Sequence, residues 1–146
     1  MSYRDSSNQS GDLSEASVML DLIRKGWVVL MPSSRDSVYD YVVDRGNGKF
    51  ETVQVKTMGG NSISKVVDRS GEIVSANGKT RNSIDYAKHG IDWLAGVKKT
   101  GEIFYYKHST YSIIKTKSFS VNLHKQDGFP LRTVPNRHAR KKKISA

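Results

Sequence analysis

Asp40, Gln54 and Lys56 stand close together in the stretch VYDYVVDRGNGKFETVQVKT, residues 38–57. A carboxylate, an amide oxygen and an ammonium gathered at one place suit phosphate chemistry. A hard cation such as Mg²⁺ takes oxygen ligands and keeps several waters. Asp40 supplies a charged oxygen, and Gln54 and the Val55 backbone carbonyl supply neutral ones. Such a cation lowers the pKa of a bound water and neutralises charge developing on a phosphate. Lys56 can hold the attacking water and stabilise a pentavalent transition state.

These residues meet only if the chain folds back on itself between them. VYDYVVD and KFETVQVKT read as two strands around RGNG. Strand side chains alternate, so Val53 and Val55 go to one face, the core, and Thr52, Gln54 and Lys56 to the other. A three-residue loop, Gly46-Asn47-Gly48, with Gly48 in the left-handed position, pairs Arg45 with Lys49 and sets Asp40 opposite Gln54. A slip of one residue would send Asp40 to the wrong face. The sequence allows this register without fixing it.

Around the hairpin the elements follow in order. GDLSEASVMLDLIRKGW, residues 11–27, reads as a helix, with Ala16, Met19, Leu20 and Ile23 at i, i+3, i+4 and i+7 and Trp27 four further on. Asp12 or Ser14 suits its N-cap and Gly26 its stop. WVVLM reads as a short buried strand closed by Pro32, and residues 58–82 as a Gly-, Ser- and Asn-rich excursion with a small hairpin at KVVDRSGEIVS. IDWLAGV and EIFYYK are two strands around KKTG, and YSIIK is a candidate edge strand. A helix followed by several strands gives an α/β or α+β domain with a central mixed sheet.

Composition bounds the rest. The 146 residues suit one domain: a disordered N-terminus at 1–10, the folded domain at 11–135 and a basic tail at 136–146. No apolar run approaches a membrane span, and MSYRDSSNQSGD is no signal peptide. The absence of cysteine excludes a disulfide framework and a cysteine zinc site, and suggests a reducing interior, cytoplasmic or nucleoid. The net charge is +10, and the tail holds only five of the cations, so a polyanion is the expected partner. The four histidines lack ligand spacing, and neither a phosphate-binding Gly-Lys loop nor a nucleophile elbow occurs.

The pattern of Asp40, thirteen residues, then Gln54-Val55-Lys56 resembles the PD-(D/E)XK nuclease motif, with Gln in the acid position and Tyr39 in place of the proline. GDLSE, residues 11–15, is similar to the helical Gly-x-x-x-Glu signature of archaeal-type Holliday junction resolvases. The run YDYVVD…VQVKT, followed by IDWLAGV…EIFYYK, resembles the PD-(D/E)XK homing endonucleases of cyanobacterial group I introns, which also read Gln-Val-Lys. The resemblance spans roughly residues 11–115. It implies a restriction-endonuclease-like fold, a four-stranded sheet flanked by helices, Mg²⁺ (Mn²⁺ substituting) as cofactor, assembly as dimers or tetramers, and Glu15, Asp40, Gln54 and Lys56 as active-site residues.

Each residue also has a plainer reading. Asp12 and Glu15 fit a capping box, Asp36 in SSRDS competes with Asp40 as the acid, and Gln54 and Lys56 could decorate a solvated strand. Double-stranded DNA would meet Lys65, Arg69, Lys79, Arg81 and Lys88 of the excursion, and Arg140, Lys141 and Lys142 of the tail by non-specific attraction. The expected function is a Mg²⁺-dependent, site-specific DNA endonuclease of the homing type. Its rivals are a junction resolvase and a non-catalytic DNA-binding module on the same fold.

Overall fold

A computed structural model of the chain describes residues 6–34, 36–68 and 83–133. Helix α1 runs Ser6–Arg24, five residues longer at its start than the sequence pattern indicates, so residues 6–10 are helical and not disordered. The cause is tertiary. Docking supplies what local propensity lacks: Ser14 Oγ lies 2.7 Å from Thr57 Oγ1, and Thr57 Oγ1 donates to the Ser10 carbonyl. The buried face also differs from the expected one. Ser14, Val18 and Leu22, spaced i, i+4 and i+8, face the sheet, while Leu20 and Ile23 are 48% and 52% exposed. The helix stops as the sequence indicates. Gly26 adopts φ 91°, its N–H donates to the Ile23 carbonyl, and the Trp27 N–H donates to that of Leu22, the paired bonds of a Schellman ending.

Strand β1, Val28–Leu30, is not buried: it forms the sheet edge, and both Val28 and Leu30 are exposed. It pairs antiparallel with β2, Tyr41–Gly46, which pairs antiparallel with β3, Lys49–Thr57. The expected register holds: Tyr41 pairs Val53, so Asp40, one step beyond, lies level with Gln54. The turn that sets it is different. Asn47 and Gly48 have φ of 55° and 76°, a two-residue primed turn. Gly46, not Arg45, pairs Lys49, and a bulge between Asp44 and Gly46 absorbs the extra residue.

After short strands β4 (Ser62–Ser64), β5 (Val66–Asp68) and β6 (Ser83–Asp85), the chain returns to the main sheet as β7, Trp93–Val97, parallel to β3, and β8, Ile103–Lys107, antiparallel to β7. The sheet order is β1-β2-β3-β7-β8. The expected hairpin at 65–75 lies largely outside the described residues, since 69–75 are not among them; β5 pairs β6, and β4 pairs β9, Ser118–Ser120. The expected edge strand at 111–115 does not form: a single helical turn, α2, His108–Tyr111, ends at its first residue, and 112–115 follow as a turn and loop. The helical turn drives the fully buried Tyr111 inward, where its hydroxyl donates to the Ile91 carbonyl.

The sheet thus has two dissimilar faces. On one, α1 sets Val18 and Leu22 against Val43, Val53, Val55 and Trp93. On the other, Met58, Ile63, Tyr86, Leu94, Tyr106, Tyr111 and Phe119 form a second core under the small strands. Among the described residues, no helix is long and apolar enough to cross a membrane.

Candidate active site

The site arises where β3 changes partners. Its first half, Lys49 to Val53, pairs with β2, and its second half, Val53 to Thr57, with β7. Asp40 makes the last ladder bond, its N–H donating to the Val53 carbonyl at 2.9 Å, and the chain before it departs. Beyond that point the β2 side of β3 is open, and an orphan N–H there needs a partner. Asp40 provides it: its Oδ2 accepts from the Val55 N–H at 2.8 Å. An acid at the head of an apolar strand is therefore held rigidly against the strand that carries Gln54 and Lys56.

Glu15 reaches the same place from α1. It lies in the third helical turn, too far from Ser6 for the capping-box reading. Its carboxyl lies close enough to that of Asp40 for the two to shift each other's pKa, and the Tyr41 hydroxyl fixes the helix here by donating to the Glu15 carbonyl at 2.9 Å. Two carboxyls in a half-buried cleft cannot both ionise freely. Burial, then the charge and hydrogen bond of Asp40, push Glu15 from about 4.5 to about 7. Burial raises Asp40 as well, against the pull of the Val55 N–H, Glu15 and Lys56. Tyr41 is pushed up to about 12 by burial and by both acids. A cleft of about 550 Å³ opens over the pair, lined by Asp12, Met31, Ser37 and Tyr39 among others.

Lys56 extends from the opposite side of β3 to Val53 and Val55, with its ammonium 5.4 Å from the centre of the Tyr86 ring. Burial lowers its pKa, and Asp40 partly restores it. Gln54 Nε2 donates to the Val55 carbonyl at 3.2 Å, which leaves that carbonyl one lone pair. The donors fit a hard cation. Glu15, Asp40, the Gln54 amide oxygen and the Val55 carbonyl all offer oxygens, and the two carboxyls, raised first by burial, would regain as ionised ligands of a cation what they lose in leaving water. No group of three His, Cys, Asp or Glu side chains gathers among the described residues, because Gln54 stands where a third acid would.

The remaining expectations divide. Asp36 is exposed and meets only Ser34 through its backbone N–H, at 3.1 Å, so Asp40 is the acid the fold brings to Val55 and Glu15. Lys65 is corrected: it is 7% exposed and its ammonium donates to the Ile114 carbonyl, which ties down a loop and leaves nothing for DNA. Its alternation explains this, since Lys65 shares the inward parity of Ile63. Lys88 is exposed in the turn after β6. Arg69, Lys79, Arg81, Arg140, Lys141 and Lys142 lie outside the described residues. Two residues escaped the sequence reading. Tyr86 lies under Lys56, with nothing in its local pattern to mark it. Asp92 accepts from the Thr52 N–H at 2.8 Å, and its position immediately before a buried strand is the same signal that singled out Asp40.

A hairpin whose second strand turns to a parallel partner, with an acid at the fork and a lysine just beyond it, defines a restriction-endonuclease-like nuclease core. Residues 5–129 match the PD-(D/E)XK endonuclease family, and the chain belongs to it. The fold is that of a bacterial homing endonuclease, I-Ssp6803I, at 17% identity and a TM-score of 0.62 over 96% of both chains. It is also similar to Hjc, a Holliday junction resolvase from the archaeal hyperthermophile Archaeoglobus fulgidus, at 10% identity and a TM-score of 0.50 over 78% of this chain and 86% of that one. No curated protein matches the sequence.

Proposed function

We propose that this chain is a Mg²⁺-dependent, site-specific DNA endonuclease of the homing type, with Mn²⁺ able to substitute. The observation that carries the reading is the Asp40 carboxylate bonded to the Val55 N–H at the fork, beside Glu15 and under the charge of Lys56. Asp40, the Gln54 amide oxygen and the Val55 carbonyl would hold the cation. When bound, the cation supplies Lewis acidity and neutralises charge on the scissile phosphate.

The protein's own groups do the rest. The partly desolvated Lys56 ammonium orients the attacking water and offers a fixed positive charge to the phosphorane. Burial strengthens that charge relative to one in bulk water. Glu15, held above the ordinary carboxylate range beside Asp40, would release its proton to solvent and add a second negative charge beside a bound cation. The exposed Leu13, Leu20 and Ile23 of α1 support assembly with further copies of the chain, as two-strand cutting requires, and the basic tail supports non-specific attraction to DNA.

The likeness to a junction resolvase supports the second reading, a structure-selective nuclease. One assay separates the two. The protein is incubated with a mixed pool of linear and four-way-junction DNA, with Mg²⁺ or with EDTA, and the ends are mapped. Fixed ends on linear duplex, lost in EDTA, are the expected result. Cuts confined to junctions would transfer the assignment to the resolvase, and binding without cuts would leave only the DNA-binding module.

A further inference from the structure

The β4–β9 ribbon fits a base-reading role that the proposed chemistry leaves unfilled. Ile63 and Phe119 pair across it and point inward into the second core, so Ser62, Ser64, Ser118 and Ser120 form its outer face. At one end the Asn61 carbonyl accepts from the Val121 N–H at 2.8 Å, which sets Asn61 opposite the residue before Asn122; both asparagines are exposed. At the other end lie Lys115 and Lys117, both exposed. Among the described residues, the side chains of Asn61, Ser62, Ser118 and Asn122 make no hydrogen bond. Ser64 and Ser120 each spend one bond locally, to the Val66 carbonyl and from the Asn122 N–H, and keep others in reserve.

The chain segment that holds β9 carries charge of one sign. Between Glu102 and Asp127 the chain carries Lys107, Lys115, Lys117 and Lys125 and no acid. A polyanion is the complementary partner. A two-stranded ribbon has the width of a DNA major groove, where asparagine pairs with adenine and serine with any base, while flanking lysines hold the phosphates.

The ribbon is also fastened to the site. Lys56 pairs with Gly96 of β7, and Ile63 lies directly on Gly96: a Cβ there would stand 2.4 Å from Ile63 Cδ1. The buried Lys65 anchors the lysine end, since its N–H donates to the Lys117 carbonyl and its ammonium to that of Ile114. A duplex seated on the ribbon is thereby held in a fixed relation to Lys56.

We propose that the β4–β9 ribbon enters the major groove of the target duplex, where Asn61, Asn122 and the outward serines read bases while Lys115 and Lys117 grip the flanking phosphates. The inference rests on the endonuclease reading above. Full-length protein in EDTA, so that binding is scored without cutting, is used to select from a randomised duplex pool, and the selected sites are then bound across a salt series. The variants are Asn61→Ala/Asn122→Ala and Lys115→Ala/Lys117→Ala, with circular dichroism confirming the fold.

The amide variant is expected to lose preference at two or more base positions, about tenfold at each, with an unchanged salt slope. The lysine variant is expected to keep the selected sequence, bind all DNA more weakly and lose up to ~1.8 from its salt slope. An amide variant that selects the wild-type sequence at wild-type strength, or weakens on all sequences alike, overturns the inference while the endonuclease reading stands. A wild-type chain that binds no duplex overturns both.

Discussion

Two aspartates take up the two amides that β3 leaves over when it changes partners. Asp40 accepts from Val55 N–H and Asp92 from Thr52 N–H, each at 2.8 Å. One stands where β2 leaves β3, the other where β7 has yet to join it. The local task is identical, yet the surroundings differ. Asp92 closes a ring with one residue: its carboxylate also accepts from the Thr52 hydroxyl, and its own N–H donates back to Thr52 Oγ1 at 3.0 Å. Asp40 meets a second carboxyl from another element and the charge of the half-buried Lys56. A fork aspartate is first a backbone device. It becomes a chemical one when burial raises its pKa beside a second carboxyl and a cation.

The sharpest way to break this comparison is to truncate both. Asp40→Ala is expected to lower single-turnover cleavage in Mg²⁺ by at least ~10²–10³-fold, since it removes the charged oxygen at the site of developing charge. Asp92→Ala is expected to leave the rate within a few-fold of wild type and to lower stability instead. It strands the Thr52 N–H, which costs about 1–3 kcal/mol, or a Tm drop on the order of 5 °C for a chain of this size. Equal rate losses in the two variants would show that both forks act only through the sheet.

Lys56 and Gln54 extend the test along the open side of β3. Lys56→Ala is expected to lose ~10²–10³ in rate while it folds and binds DNA. Gln54→Ala is expected to lose most activity, whereas Gln54→Glu keeps an oxygen in place and shifts the preference among divalent metals. Wild-type rates from a folded Lys56→Ala protein would remove this strand from the chemistry.

The contrast also explains what the sequence discloses. The hairpin register was one that the sequence allowed but left open: the valine face of β3 sets which side is buried, not which residue stands opposite Asp40. Its loop was misread, since a bulge at Arg45 and a two-residue turn give the same register as a three-residue loop. Glu15, Asp40 and Lys56 were legible through their resemblance to a family, but only the fold shows that Asp92 shares Asp40's place. α1 misled because it carries two apolar stripes, and the helix seats the smaller, Val18 and Leu22 with Ser14, against the sheet. The second face was the least legible. Its strands are three residues long, and their partners come from distant parts of the chain, where periodicity carries little signal.

A smaller effect sharpens the link between that second face and the site. Gly96→Ala would place a methyl group within 2.4 Å of Ile63 Cδ1, with Met58 Sδ at 3.0 Å. Overpacking of this kind costs about 1–3 kcal/mol, and the ribbon must shift to relieve it. The expected result is a Tm lower by several degrees and a reduced rate on DNA, with Lys56 itself intact. Gly96→Ala combined with Ile63→Val, which withdraws a methyl group, should recover part of both. No recovery would mean that the ribbon does not govern how the site is used.

The smallest effect is in the pH dependence of stability, and it asks whether Asp40 is special because of Glu15. An ordinary glutamate near 4.5 is raised to about 7 here, first by burial and then by Asp40. From pH 4.5 to 7 the folded chain keeps a proton that the unfolded chain gives up, so stability falls as the pH rises through that window and levels off above it. Below pH 4.5 both states hold the proton and nothing is lost. Glu15→Gln removes the titration and relieves Asp40 of its like-charged neighbour. The variant is expected to match wild type near pH 4 and to melt roughly 3 °C higher at pH 8 without metal. Mg²⁺ should close that gap by stabilising the wild-type carboxylates, since a ligand of the folded state alone raises its stability. The readout is Tm against pH for both proteins, with and without Mg²⁺. A wild-type curve that is flat between pH 4.5 and 7, or parallel to that of Glu15→Gln, would place the two carboxyls apart in solution and return Asp40 to the same structural rank as Asp92.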